Sequence, residues 1–331
     1  MSKFTLWFIL PALLLFPIIA FIAYALLFSP LTPENLVQLR IQPGTGLNKI
    51  ALDLEEIGVI RSALAVKLLA RWNHQSDQIQ AGNYQFSDPA TPGKILTRLV
   101  KGDVENVSLT IPEGFTLQQI IARIAEKGFG QKEKLSALAY NIDYIHSLKI
   151  NADSLEGYLF PETYLFAPGI DEKSLLKMMV TQFQNHVSIE LKQAFKKQGL
   201  NLHQWVTLAS IIEKETGQVE EMPLIASVFY NRLKRKIPLQ TDPTVIYGIK
   251  DFDGNITRKH LLTPTPYNTY LIRGLPPGPI ASPGLAALKA AAHPAETKFL
   301  YFVARGNGEH QFSKTLKEHN AAVQKYQLRR R

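Results

Sequence analysis

Apolar positions run along this chain in three patterns: one unbroken stretch, several helical stripes and a few short alternating runs. The unbroken stretch comes first. From Phe4 to Phe28, FTLWFILPALLLFPIIAFIAYALLF carries no charged residue. Roughly 20 apolar residues at about 1.5 Å rise each cross a bilayer core, so residues 1–29 predict a cytoplasmic N-terminus and a single transmembrane anchor. Pro11 and Pro17 are tolerable in lipid where local adjustment satisfies the freed carbonyls. Lys3 and the α-amino group are the only charges ahead of the stretch, which favours an N-terminus-inside orientation. AYA at 23–25 offers a small-x-small cleavage site, yet the stretch is longer than the roughly 7–15 apolar residues of a secretory signal. An uncleaved anchor is the expectation, with everything after Ser29 outside the cytoplasm.

Residues 30–40 read as a linker stiffened by Pro30 and Pro33. Next, IQPGTGLNKIALDLEEIGVI predicts a short strand, a Pro-Gly turn and a helix, because Leu47, Ile50, Ala51, Leu54 and Ile57 recur at i, i+3, i+4 spacing. Gly58 closes that helix. A second helix (SALAVKLLARW), a strand (AGNYQFS) and a third helix ending at Gly102 complete a small α+β module over 41–103. Shifted by seventy residues, IPEGFTLQQIIARIAEKG at 111 lies over IQPGTGLNKIALDLEEIG at 41 without a gap. Modules of this shape bind glycans by their turn, although a strand leading into a helix is also a generic pattern.

The remainder, 104–331, reads as a mixed α+β domain. It is mostly helical from Gln131 to Gly199, interrupted by LEGYLFPETY, a loop or irregular strand carrying Glu156 and Glu162. Aromatic loops with carboxylates suit a carbohydrate cleft and serve equally as core plugs. After residue 236 come long Pro-, Gly-, Thr- and Asn-rich segments whose aliphatic and aromatic content argues for order. LKAAAHPAE supplies a helix, FLYFVA a buried strand, and a last helix starts near Ser313.

Composition narrows the chemistry. With 331 residues the chain holds a sizeable core and about two domains. It has no cysteine, which removes disulfides, thiolate nucleophiles and cysteine-bound zinc. Its eight histidines show no metal-ligand spacing, and no nucleotide-binding glycine loop or serine elbow is present. The net charge of +9 is scattered rather than clustered and comes with no nucleic-acid motif; an anionic membrane surface or polymer suits it better. His310 in GEHQFS is a lone candidate base, or a structural histidine near a strand end.

The strongest candidate group is ASIIEKETG at 209–217. On the helix Trp205–Thr216, Trp205, Leu208, Ala209, Ile211 and Ile212 form an apolar arc, and Glu213 and Glu215 project on either side of it. Two residues apart, they cannot address one atom, so they are not a paired-carboxylate dyad. The negative end of the helix dipole and apolar flanks both raise a carboxyl pKa there. Holding a proton near neutral pH needs a rise of roughly two units, near 2.7 kcal/mol, which a buried site supplies and an exposed one does not. Spacing alone leaves open whether either is an acid catalyst or a structural carboxylate neutralised by Arg232, Lys234 or another base.

LEGYLFPETY, LASIIEKET, LQTDPTVIYG, TPYNTY, GLPPGPIASPG, LKAAAHP, LYFVA and GEHQFS, in this order, resemble the YceG-like family over nearly the whole chain. The resemblance implies a membrane-anchored α+β enzyme with a LysM-like, glycan-binding module over 41–103 and a catalytic domain over 104–331. It implies cleavage of MurNAc–GlcNAc β-1,4 bonds within nascent peptidoglycan strands at the outer face of the inner membrane, leaving 1,6-anhydroMurNAc ends. No cofactor or metal is implied. Glu213 matches the family's catalytic glutamate, which leaves Glu215 a supporting part in an ion pair. Gln240, Thr241, Asp242, Tyr267 and Asn268 are expected to line the cleft and bond sugar groups, and Glu162 fills a position that is usually acidic. Penicillin-binding proteins and the elongation machinery are the implied partners. Two rivals stay open: a non-catalytic glycan-binding scaffold, and a hydrolase using Glu162 or Asp242 as a second carboxylate.

Overall fold

The computed structural model describes residues 16–25, 27, 29–42, 44–104, 107–166, 169–250 and 252–328. It is of mixed α+β type and divides into two units, Met1–Ser108 with Leu165–Gly169, and Leu109–Tyr164 with Ile170–Arg331. The expected membrane anchor lies largely outside the described residues. Residues 16–25 are helical with exposed apolar side chains, and among the described residues no helix is long and apolar enough to cross a membrane.

In the first unit, strand β1 (Val37–Ile41) pairs antiparallel with β2 (Gly82–Phe86), setting Leu39 opposite Tyr84. Helices α1 (Leu47–Glu56) and α2 (Ala63–Trp72) stand between them in sequence, giving a strand–helix–helix–strand order. Strand β1 opens inside the segment read as linker. VQLRI alternates inward and outward, with Leu39 and Ile41 buried, and the apolar partner face of β2 decides that register. The core joins Ile50, Ala51 and Leu54 of α1 to Val66, Tyr84, Phe86, Ile95 and Leu99. Helix α3 (Pro92–Lys101) starts on Thr91, whose hydroxyl accepts from the Lys94 amide, and stops at Gly102, left-handed at φ 65°.

The second copy of the strand–turn–helix pattern folds differently downstream. Strand β3 (Val107–Thr110) leads to α4 (Leu117–Glu126), whose Thr116 and Gln119 form a reciprocal capping box. Its partner is β4 (Thr163–Phe166), more than fifty residues on, where Thr110 and Thr163 join hydroxyls at 2.9 Å. Helices α5 (Lys132–Ala139) and α6 (Ile142–Ser147) fill that interval. They are followed by the LEGYLFPETY loop, whose aromatics act as a core plug: Tyr158, Phe160 and Tyr164 are all buried. Gly157 permits that loop. At φ 81° it takes a conformation side chains resist, and a Cβ there would come within 2.5 Å of Pro279 and 3.0 Å of Val206. Gly157→Ala is therefore expected to lower the unfolding free energy by about 2 kcal/mol or more in a urea titration.

Helices α7 (Glu172–His186), α8 (Ile189–Lys197), α9 (Leu202–Glu215) and α10 (Met222–Lys234) make the helical body of the second unit. Trp205 of α9 is fully buried, stacks on Phe195 at 4.8 Å and donates its indole N–H to the Leu288 carbonyl. Leu288 lies on α13 (Leu285–Ala292), where Ala287, Ala290, Ala291 and Ala292 present little bulk and let the two helices approach closely. The short helices α11 (Asp242–Tyr247) and α12 (Arg258–Leu262) punctuate the polar loops. A hairpin of β5 (Tyr301–Ala304) and β6 (His310–Ser313) precedes α14 (Leu316–Val323).

Candidate active site

Helix α9 is secured at both ends. Asn201 and Gln204 form a capping box at its start, and the chain turns extended at Thr216. The last turn thus holds Glu213 and Glu215 in fixed, different directions. Glu213 is half-buried, and its Oε2 accepts the Gly284 amide at 3.0 Å. The loop before α4 lies alongside: a Cβ on Gly114 would stand 3.7 Å from Glu213 Cγ, and Lys214 Nζ donates to the Gly114 carbonyl at 3.2 Å. Loss of water raises the Glu213 carboxyl above its ordinary range; the Gly284 amide opposes this, the nearby Glu113 charge adds to it, and Lys214 opposes it.

Glu215 faces elsewhere. It accepts the Thr241 hydroxyl and lines a cavity of about 560 Å³ together with Gln240, Asp242, Tyr270, Tyr301 and His310. Burial pushes its carboxyl up to about 7 against the pull of Thr241; Asp242 adds to the rise, and His310 and Arg232 reduce it. The expected ion pair is absent: among the described residues Glu215 forms no salt bridge. Arg232 instead donates to the carbonyls of Leu300, Pro238 and Leu239 and to Gln240 Oε1, since a buried guanidinium must satisfy its fixed fork of donors wherever carbonyls converge. His310 bonds Glu221 through its ring at 2.7 Å and through its amide at 2.8 Å, which is the structural alternative for that residue.

The other expected cleft residues fall into separate places. Gln240 is exposed, left-handed at φ 53°, and rests on Arg232. Asp242 accepts the Tyr270 hydroxyl at 2.7 Å. Thr241 is buried and occupied by Glu215 and Thr269. Asn268 is fully buried: its amide nitrogen donates to the carbonyls of His260, Leu261 and Thr263 while its oxygen accepts the Tyr270 amide. These bonds fold the TPYNTY loop and leave no polar atom of Asn268 for a sugar. Tyr267 packs on Tyr247 at 4.8 Å. Glu162 is exposed and accepts Gln182 at 2.6 Å. None of these touches Glu213 in the hydrogen bonds described above.

Of two further acids, Glu156 is expected only as a carboxylate of the aromatic loop, and Glu113 escapes sequence reasoning. Glu113 belongs to the PEG turn of the second repeat, where nothing in its spacing connects it to residue 213. Glu156 is buried, takes the Leu117 amide on both oxygens and accepts the Tyr247 hydroxyl at 3.0 Å. Burial pushes Glu156 up to about 7, against those bonds. A carboxyl with a raised folded pKa stabilises the fold fully below its unfolded value of about 4.5 and loses that contribution as pH rises through the folded value. Asp171, Glu172 and Glu318, held low by hydrogen bonds at helix starts, act with the opposite sign and at lower pH. The melting temperature is therefore expected to fall from pH 5 to pH 8, and Glu156→Gln to flatten the fall; calorimetry showing the same slope in both proteins would refute the assignment.

Among the described residues no group of three or more histidines and carboxylates is placed to hold a metal ion. The arrangement's chemistry is that of an anchored carboxylic acid beside a second carboxylate. At 38% identity over 309 residues, the chain is similar to an endolytic murein transglycosylase of Bacillus subtilis, covering 88% of this chain and 85% of that one. It is 30% identical over 302 residues to an endolytic murein transglycosylase of Streptococcus pneumoniae, covering 82% of this chain but spanning only 54% of that relative. A crystal structure of a yceG-like protein from Listeria monocytogenes superposes with a TM-score of 0.60 at 33% identity, over 86% of this chain and 98% of the other. A model of the YceG-like family matches residues 39–325, and the chain belongs to that family.

Proposed function

We propose that the chain is an endolytic peptidoglycan lytic transglycosylase in which Glu213 is first the general acid and then the general base. The observation that carries this is Glu213 itself: a half-buried carboxyl, raised by loss of water and fixed through Oε2 on the Gly284 amide. Among the described residues no hydrogen bond reaches its Oε1, which is free to meet a glycosidic oxygen. The relatives named endolytic murein transglycosylase support the same chemistry. Glu213 gives its proton to the oxygen leaving C1 of MurNAc, and the C1–O bond breaks. The carboxylate then takes the proton of the C6 hydroxyl as O6 bonds to C1, closing the anhydro ring and restoring the acid. One acid serves both halves, so no second carboxylate is required for attack by water.

The apolar stretch 4–28 is proposed as a single-pass inner-membrane anchor, N-terminus inside, that leaves the rest of the chain in the periplasm. Such tethering suits cleavage of nascent strands, limits their elongation, and brings the enzyme near penicillin-binding proteins. The strand–helix–helix–strand order of the first unit supports a LysM-like, glycan-holding role. Mass spectrometry of product ends from purified glycan strands tests the activity: anhydro ends are expected. Reducing ends would indicate a hydrolase, and binding without cleavage a scaffold.

A second reading has one observation in its favour. Glu215, at about 7 and lining a cavity with Asp242, has the proton affinity of a neutral-pH acid.

A further inference from the structure

The PEG turn is left unused by the proposed mechanism, yet it lies directly against the proposed acid. Glu113 is exposed, on the turn between β3 and α4. Its carboxylate rests on Gly284: an added Cβ there would stand 1.8 Å from Glu113 Oε1 and 2.2 Å from Cδ. The amide of that same glycine is the donor to Glu213 Oε2. Two carboxylates, from elements a hundred residues apart in sequence, thus share one glycine, and the missing side chain is what gives Glu113 its place. The turn is held there on both sides. Gly114 donates its amide to the Ser282 carbonyl at 2.9 Å, and Ser282 returns its own to Phe115 at 2.8 Å.

We propose that Glu113 is a positioning residue for Glu213: its negative charge, seated on Gly284, disfavours a second negative charge beside it and so keeps the acid loaded with its proton. This deepens, and rests on, the reading of Glu213 as the catalytic acid. Like charges sharing a site hold a proton on one of them, and the effect reaches over a few ångströms of partly dry space. The charged groups acting on Glu213 are Glu113 from the turn and Lys214 from its own helix, with opposite signs. Lys214 is tethered to the Gly114 carbonyl, so the turn also fixes where that opposing charge sits.

The test is the pH dependence of strand cleavage by the full chain, with anhydro ends as the readout. Activity that needs protonated Glu213 falls as pH rises through its pKa. Glu113→Gln removes the neighbouring charge, so the falling limb is expected to move to lower pH by about half a unit. Added salt should shrink the difference between the two proteins, because an exposed charge is screened. Glu113→Asp, which keeps the charge, is expected to retain most of the wild-type limb. Gly284→Ala provides a check that leaves both acids in place. The backbone there is ordinary (φ −74°, ψ 172°), so alanine fits it, but its methyl drives Glu113 off and should shift the limb the same way. If Glu113 merely braces the turn, Glu113→Gln will change rate or melting temperature with the limb unmoved, and that result overturns the proposal. A Glu213→Gln protein that still cleaves strands overturns the underlying reading instead, so the two failures are distinguishable.

Discussion

Glu213→Gln is expected to lower strand cleavage by about 10²–10⁴-fold at neutral pH, the usual worth of a general acid–base residue. The amide keeps the shape of the side chain and an oxygen for the Gly284 N–H, so the fold is expected to persist with a melting temperature equal to or above wild type. Equality or increase follows from the sign of the shift: a carboxyl raised by burial is strained by its charge, and the neutral amide is not. Glu215→Gln is the control that separates the two readings. Its amide oxygen still accepts from Thr241 and its position in the cavity is kept, so a modest loss is expected. Retained activity in Glu213→Gln with collapse in Glu215→Gln would transfer the acid's role to the second glutamate.

The largest expected effect on stability lies behind the same helix. Trp205→Ala should cost about 3–5 kcal/mol, the range for emptying an aromatic from a close-packed core. The change removes the stack on Phe195 and also leaves the Leu288 carbonyl without its indole donor. Because Trp205 and Glu213 share α9, and α13 begins at the Gly284 that holds Glu213, the residual folded protein should also cleave slowly. Urea unfolding followed by tryptophan-independent circular dichroism measures the first effect. A loss under about 1 kcal/mol would mean that α9 and α13 close up around the vacancy.

Periodicity made most of the helices legible, because Leu47, Ile50 and Leu54 or Trp205, Leu208 and Ile212 write one buried face in local spacing. Strand pairing was less so. The start of β1 inside 30–40 depends on a partner at Gly82–Phe86, and β3 finds β4 only after more than fifty intervening residues. Helix geometry separated Glu213 from Glu215, and the fold gives them distinct surroundings, as that geometry requires. Their partners could not be read from spacing. Glu215 lies near Arg232 as charge alone suggests, but the guanidinium's Nε and Nη1 donate to carbonyls and to Gln240 instead. Asn268 is expected in the cleft as a polar group on a motif loop; its burial under three carbonyls is a tertiary fact. Glu113 was invisible for the same reason, since nothing local ties a turn at 113 to a glycine at 284.

The first unit borrows Leu165–Gly169, and the Arg40 guanidinium reaches the Gly169 carbonyl at 3.4 Å. Synthesis proceeds from the N-terminus, so this unit cannot be completed when residue 108 emerges. It must wait for a further sixty residues, most of which belong to the other unit. The hydrophobic core of the unit lies within residues 37–104, so a gene fragment ending near residue 104 would encode that core without the unit's last piece.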